Sequence, residues 1–212
     1  MDLKQLVNDV GALNEAFDVL DEELQVLRKL IYKNTSQHRR AKYFQYLVQV
    51  KRMHRLLKKE ELKEVVVKIQ KVARMLQIKD GMHHVAWKNL NSDIKMDLDG
   101  VLRQIVAIVQ TCVEAMEAEK KTYQALGTQF AMTFFVPFCV VVNSLLGRLY
   151  VLKQTILIRF IQAHHCLILA YLAQVAHANP LRAGTTAIQL SGYEIPRHVL
   201  VYCDSTGLSN ER

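Results

Sequence analysis

The chain is poor in residues that break helices. Its 212 residues include three prolines and eight glycines, most of them after residue 126. The first 125 residues therefore hold almost nothing to stop a helix. Four cysteines, Cys112, Cys139, Cys166 and Cys203, lie far apart and form no Cys-x-x-Cys pair. That leaves a zinc ribbon or a dithiol redox motif unsupported. The first three sit in apolar surroundings and read as reduced core thiols, which favours an intracellular home. A glycine-rich phosphate loop, a nucleophile elbow and a His-Glu-x-x-His helix are all missing, so no common enzyme signature is present. The histidine pairs His83-His84 and His164-His165 are adjacent, and neighbouring side chains point apart in helix or strand. No metal site and no cofactor are expected; His164 or His165 reads as a hydrogen-bonded core group. The acidic, amphipathic N-terminus does not resemble a secretory signal.

What the chain has is segregated charge. Half of its residues are hydrophobic, 23% are charged, and the net charge is +8. This is an ordinary globular balance with a basic tilt, and the length suits one domain with a real core. Residues 1–27 carry one Lys against seven acids, whereas residues 28–79 carry sixteen Lys/Arg against three acids. The acids at the N-terminus and around Glu114–Glu119 read as solvated helix faces.

Hydrophobic spacing predicts an all-α fold of five to six helices. Leu3, Leu6, Val10, Leu13, Phe17, Leu20, Leu24, Leu27 and Ile31 recur at three- and four-residue steps, predicting one long first helix whose start Asp2 favours. Asn34-Thr35-Ser36 reads as a break and N-cap for a helix over 36–58. A third helix is expected from Lys59 to about Ile78, ended near Gly81. A loop carrying Trp87 follows, then a helix from Ser92 or Asp93 to Leu126. Beyond Gly127, two apolar helices over about 128–146 and 148–177 are expected to form a hairpin that Asn179-Pro180 ends. The expected domain covers 1–178. Residues 179–212, with an alternating piece at His198–Tyr202, read as an irregular tail.

The helix over 36–58 is the informative one. Tyr43, Tyr46, Leu47, Val50, Met53 and Leu57 make its buried stripe, and no acid occurs from Gln37 to Lys59. A merely solvated face mixes both signs for local pairing, so a single-sign ridge calls for an external anion. Arg39 and Arg40 can fork onto phosphate oxygens, and Lys42, Lys51, Arg52, Arg55 and Lys59 extend the track. Lys63, Lys68, Lys71 and Arg74 follow on the next helix. Gln37 and His38 are expected at the helix start, where free backbone N–H groups would favour phosphate. Tyr43 reads as core, while Phe44 is open to base stacking. A polyanion with flat bases, RNA, suits this mix better than an acidic protein or a lipid surface.

The string Gln37-His38-Arg39, with Asn34 before it, Tyr43 and Phe44 after it, then Leu47 and Lys51-Arg52, resembles the signature of one family. That family comprises the ribonuclease MRP-specific RNA-binding subunit of fungi and its animal and plant relative, the nucleolus and neural progenitor protein. Leu145-Leu146-Gly147-Arg148-Leu149-Tyr150-Val151-Leu152 is similar to the family's second signature. Family members often end in lysine-rich tails, which this chain lacks. The resemblance implies a nuclear, nucleolar subunit of the MRP ribonucleoprotein acting in precursor ribosomal RNA processing. Its partners would be MRP RNA, the related RNase P RNA, and the protein subunits of those particles. The RNA would do the cutting, so the protein would carry no catalytic residue and take no small-molecule substrate. Gln37-His38-Arg39 would either touch RNA or brace the fold, with Gln37 and His38 able to reach the Arg148-Leu149-Tyr150 turn.

Two other readings stay open. One is a helical protein-interaction module whose basic face meets an acidic partner. The other is a small membrane protein with two spans, near 128–147 and 156–176, because residues 122–147 contain no Asp, Glu, Lys or Arg, long enough for a span. Pro137, Asn143, the histidines of the next segment and a mean hydropathy of only +0.04 make a buried hairpin the more economical reading.

Overall fold

In a computed structural model, residues 3–77 and 85–205 are described, with backbone alone for 202–205. The expected signals at Asp2, Gly81 and His83-His84, and the Cys203 side chain, lie outside these. Among the described residues the regular structure is helical, with no strand. The helices are α1 (Leu3–Gly11), α2 (Leu13–His38), α3 (Lys42–His54), α4 (Lys59–Leu76), the single turn α5 (Trp87–Asn89), α6 (Lys95–Ala131), α7 (Val136–Ala178), α8 (Ala183–Ser191) and α9 (Arg197–Ser205).

The hydrophobic stripe of the first segment is continuous, yet the backbone breaks at Ala12 between α1 and α2. Beside that break a Cβ on Gly11 would lie 3.3 Å from Gln70 Nε2, and the same amide donates to the Val7 carbonyl at 3.1 Å. The hinge is thus made by a long-range contact that periodicity does not record.

Three expected boundaries move. First, α6 runs through Gly127 to Ala131. Second, the two predicted late helices are one 43-residue helix, α7, in which Gly147 is internal. A glycine inside a helix costs about 1 kcal/mol relative to alanine. Burying a leucine such as Leu126, Leu145, Leu146 or Leu149, all at most 5% exposed, gains roughly 1.5–3 kcal/mol. Burial wins, and the helices continue. The apolar hairpin is therefore α6 with α7, joined at residues 132–135. Pro137 lies in the first turn of α7, where its missing N–H costs nothing.

Third, the described part of the tail, to residue 205, is helical rather than irregular. A 3₁₀ turn at Pro180–Arg182 leads into α8, and the alternating piece at His198–Tyr202 is part of α9. Thr186, Leu190, Ile195 and Val199 are buried, so tertiary burial orders a segment of weak local propensity.

Two compact units share the chain. The first takes Met1–Asn14, Lys63–Gln110 and Ile158–Arg212. Within it Arg159 pairs with Asp9 at 3.3 Å. Tyr171 donates to the Leu90 carbonyl at 3.0 Å, and burial pushes its phenol up to about 12. His164 Nε2 meets the Tyr193 carbonyl at 2.8 Å, which makes it the hydrogen-bonded core histidine of its pair, while His165 is exposed. Cys166 is a buried thiol here, as Cys112 and Cys139 are in the second unit.

The second unit takes Glu15–Leu62 and Thr111–Leu157. Its core includes Phe17, Leu27, Phe44, Leu47, Met116, Val142 and Leu149, each at most 2% exposed. It also buries charge. Lys153 of α7 is 0% exposed and Glu119 of α6 is 1% exposed, and the two close as an ion pair. His54 Nε2, from α3, lies 3.0 Å from Glu119 Oε1 and 3.2 Å from Lys153 Nζ. Burial lowers the Lys153 proton affinity, with Glu119 opposing, and burial likewise lowers that of His54. Glu119 is therefore no solvated-face acid. Glu23 is not one either, being 8% exposed and paired with Arg148.

α7 is long and apolar enough to cross a membrane by length and composition, and half of its most apolar stretch is buried within the fold. Its buried residues include Lys153, His164 and Gln174, groups that need protein partners rather than lipid.

Candidate nucleic-acid interface

The corner between α2 and α3, in the second unit, is where the signature residues meet. Asn34, Thr35 and Ser36 do not cap a new helix. Asn34 Nδ2 donates to the Leu30 carbonyl at 2.8 Å and Thr35 Oγ1 to the Ile31 carbonyl at 2.6 Å. These back-bonds satisfy the side chains inside α2, and the helix runs on to His38. Helix α3 starts only at Lys42, behind an Ala41 that makes no side-chain cap. Gln37 and His38 therefore stand at a helix C-terminus, where carbonyls rather than N–H groups are free. The phosphate site expected from free N–H groups at Gln37 and His38 is absent.

His38 is a brace. It is 3% exposed, and its Nδ1 shares a hydrogen bond with the Tyr43 hydroxyl at 2.6 Å. Its ring stacks on Phe138 with centroids 4.6 Å apart, and meets Phe135 edge-on at 4.7 Å. Phe44 is tilted against it at 6.0 Å. Burial lowers the basicity of His38. Burial, then the neighbouring Cys139, raises the Tyr43 pKa. Neutral imidazole and neutral phenol are thus the favoured partners in that hydrogen bond. Phe44, at 2% exposure, is sealed in this cluster and does not face solvent bases. Gln37 is exposed. The proposed reach of His38 to Arg148-Leu149-Tyr150 is not made. Those three residues lie inside α7, where Leu149 is buried and Arg148 turns to Glu23.

The cations separate into two classes. Arg39, Arg40, Lys42, Arg52 and Arg55 are exposed and Lys51 is partly exposed. Among the described residues, none of Arg39, Arg40, Lys51, Arg52 and Arg55 has an acidic partner. Lys42 Nζ lies over the Tyr46 ring at 5.9 Å. By contrast Lys59 is held by Asp18 at 2.7 Å. On the part of α4 in the first unit, Lys68 is held by Glu64 at 2.8 Å and Lys71 by Asp97 at 2.6 Å. Lys63 is partly exposed there. Exposed pairs of this kind are worth little to stability, but each cation so held has part of its charge answered internally.

A cleft of about 470 Å³ in the second unit is lined by Arg28, Arg55, Lys58 and Lys59 over Phe17, Leu20 and Leu24. Asp21, Asp18 and Glu61 answer three of those four cations, so the cleft does not hold a concentrated positive field.

Sequence reasoning missed the aromatic turn opposite the corner. Thr133 and Phe135 adopt φ of 58° and 53°, the left-handed region that side chains rarely occupy. Phe130, Phe134 and Phe135 are 47%, 60% and 45% exposed. The readable signal was the uncharged run itself, three phenylalanines close together in a stretch assigned to a buried helix.

A sequence model of the family described as nucleolus and neural progenitor protein, N-terminal, matches residues 1–168. The chain belongs to that family. The match spans both the corner at Gln37-His38-Arg39 and the Arg148-Leu149-Tyr150 segment. The family is named for the nucleolus, in agreement with the nuclear, nucleolar location expected from the sequence. No curated protein and no solved structure matches the chain.

Proposed function

We propose that this protein is a non-catalytic RNA-binding subunit of the ribonuclease MRP ribonucleoprotein, acting in precursor ribosomal RNA processing. The observation that carries the RNA reading is a set of five cations, Arg39 and Arg40 at the α2–α3 corner and Lys51, Arg52 and Arg55 at the far end of α3, that have no acidic partner among the described residues. Stability does not require such a set, because like charges on one face repel. Phosphate oxygens would neutralise it. Assignment to MRP rather than to another nucleolar RNA rests on the resemblance of Gln37-His38-Arg39 and Arg148-Leu149-Tyr150 to the MRP subunit. MRP RNA is the first partner, the related RNase P RNA the second, and the protein subunits of those particles would complete the assembly. In this role the protein holds RNA through phosphates and shape, and the RNA supplies the phosphodiester chemistry.

Five phosphate contacts predict that log affinity falls against log salt with a slope of about −4. The triple variant Arg39→Glu, Arg40→Glu, Arg52→Glu is expected to flatten that slope by about 2–3 and to release MRP RNA from immunoprecipitates. Its helical circular dichroism should match the wild type, since all three side chains are exposed. Unchanged RNA recovery with intact helicity would reject the reading.

A further inference from the structure

We infer that the Phe130–Phe135 turn is a stacking platform for unpaired RNA bases, set beside the cationic corner by His38. This inference rests on the reading of that corner as an RNA site and adds what the corner lacks. Arg39 and Arg40 can take phosphates, but Phe44 is buried, so the corner itself offers no exposed phenylalanine ring. The turn supplies rings. Phe134 is 60% exposed and sits between the two left-handed residues Thr133 and Phe135. Such conformations persist only where surrounding contacts impose them. Here the contacts are visible: the Thr133 amide donates to the Phe130 carbonyl at 3.0 Å, Cys139 Sγ approaches the Phe134 carbonyl at 3.8 Å, and His38 meets Phe135 edge-on. A left-handed backbone held by three anchors presents Phe134 outward instead of folding it into the core.

Charge selects the occupant. The turn lies in a run without a single charged residue from Thr122 to Gly147, and the corner it touches has no acid from Gln37 to Lys59. A protein partner would need an apolar patch and an acidic rim at matching positions. A single RNA strand carries both requirements in every nucleotide, a flat base and a phosphate. Single-stranded loops offer bases free to stack on exposed rings, whereas duplex bases are already stacked.

The test uses the full chain with two fluorescent probes, a twelve-nucleotide oligouridylate and a twelve-base-pair RNA duplex, at matched salt. Wild type is expected to prefer the single strand. Phe134→Leu keeps an apolar side chain but removes the ring, and should weaken the single strand by about tenfold, a typical cost of losing one base stack, while leaving the duplex unchanged. Phe134→Trp should restore the preference. Arg39→Glu with Arg40→Glu should weaken both probes. If Phe134→Leu binds the single strand as wild type does while the arginine variant fails, the platform is wrong and the RNA reading stands. If neither probe binds wild type, both fall.

Discussion

Lys153→Met is expected to lower the unfolding free energy by about 3–5 kcal/mol, the cost of leaving a buried charge without its partner. Glu119, 1% exposed, would keep only His54 beside it, and its Oε2 already lacks a hydrogen-bond partner. The site offers little room to recover, because Lys153, Glu119 and His54 come from three different helices and all three are nearly free of solvent. The triple replacement Lys153→Met, Glu119→Leu, His54→Leu removes every polar group at once. It should return stability to within about 1 kcal/mol of wild type or exceed it, since well-packed apolar groups often replace buried ion clusters at no net cost. Urea titration followed by circular dichroism measures both. Loss of 1 kcal/mol or less in the single variant would mean that water reaches Glu119. A triple variant as damaged as the single one would mean that the cluster's shape, rather than its charge, matters.

The same cluster shows what a sequence makes readable. Residue spacing identified which faces are buried in α2, α3, α4 and α6, because burial follows a 3.6-residue period that single residues cannot hide. It could not identify where helices stop. Ala12 breaks a perfect stripe on account of Gln70, and Gly147 fails to break a helix because leucines on either side are buried. Both decisions belong to contacts between residues far apart in the chain. Lys153, Glu119 and His54 are separated by 34 and 65 residues or more. Each alone looks like an ordinary surface group. Only their coincidence in space makes them a core feature.

The basic corner was legible in the same partial way. The acid-free count from Gln37 to Lys59 located the basic surface, because charge sign needs no structure. Which cations are left over did need it: Lys59, Lys68 and Lys71 find Asp18, Glu64 and Asp97, whereas Arg39, Arg40, Arg52 and Arg55 do not. The signature histidine could be placed but not understood. Its neighbours Phe135 and Phe138 lie about a hundred residues downstream, in a stretch whose composition reads simply as apolar.

His38 carries the second large effect. Replacement by alanine removes a ring packed among Phe44, Phe135 and Phe138 and should cost about 3 kcal/mol or more. It also leaves the Tyr43 hydroxyl without its hydrogen-bond partner. His38→Phe keeps the volume and isolates the titration. At pH 8 this variant should lose about 1–3 kcal/mol, the penalty for an orphaned buried hydroxyl. The gap should then close on acidification. Burial holds the folded-state pKa of His38 below its ordinary value of 6.5, so below that value the unfolded chain binds a proton that the native state refuses. The stability due to neutral His38 is complete above pH 6.5 and drains away as pH falls, by at most about 1.4 kcal/mol per unit. His54 and His164 are depressed in the same direction, yet both proteins contain them, so they cancel in the comparison. Denaturant titrations of wild type and His38→Phe at half-unit steps from pH 8 to pH 5 decide the matter. A constant difference across that range would show that the imidazole takes up its proton as readily inside the aromatic cluster as in the unfolded chain. Convergence would assign the histidine of the family signature to the fold, and leave the proposed contacts with RNA to the arginines that follow it.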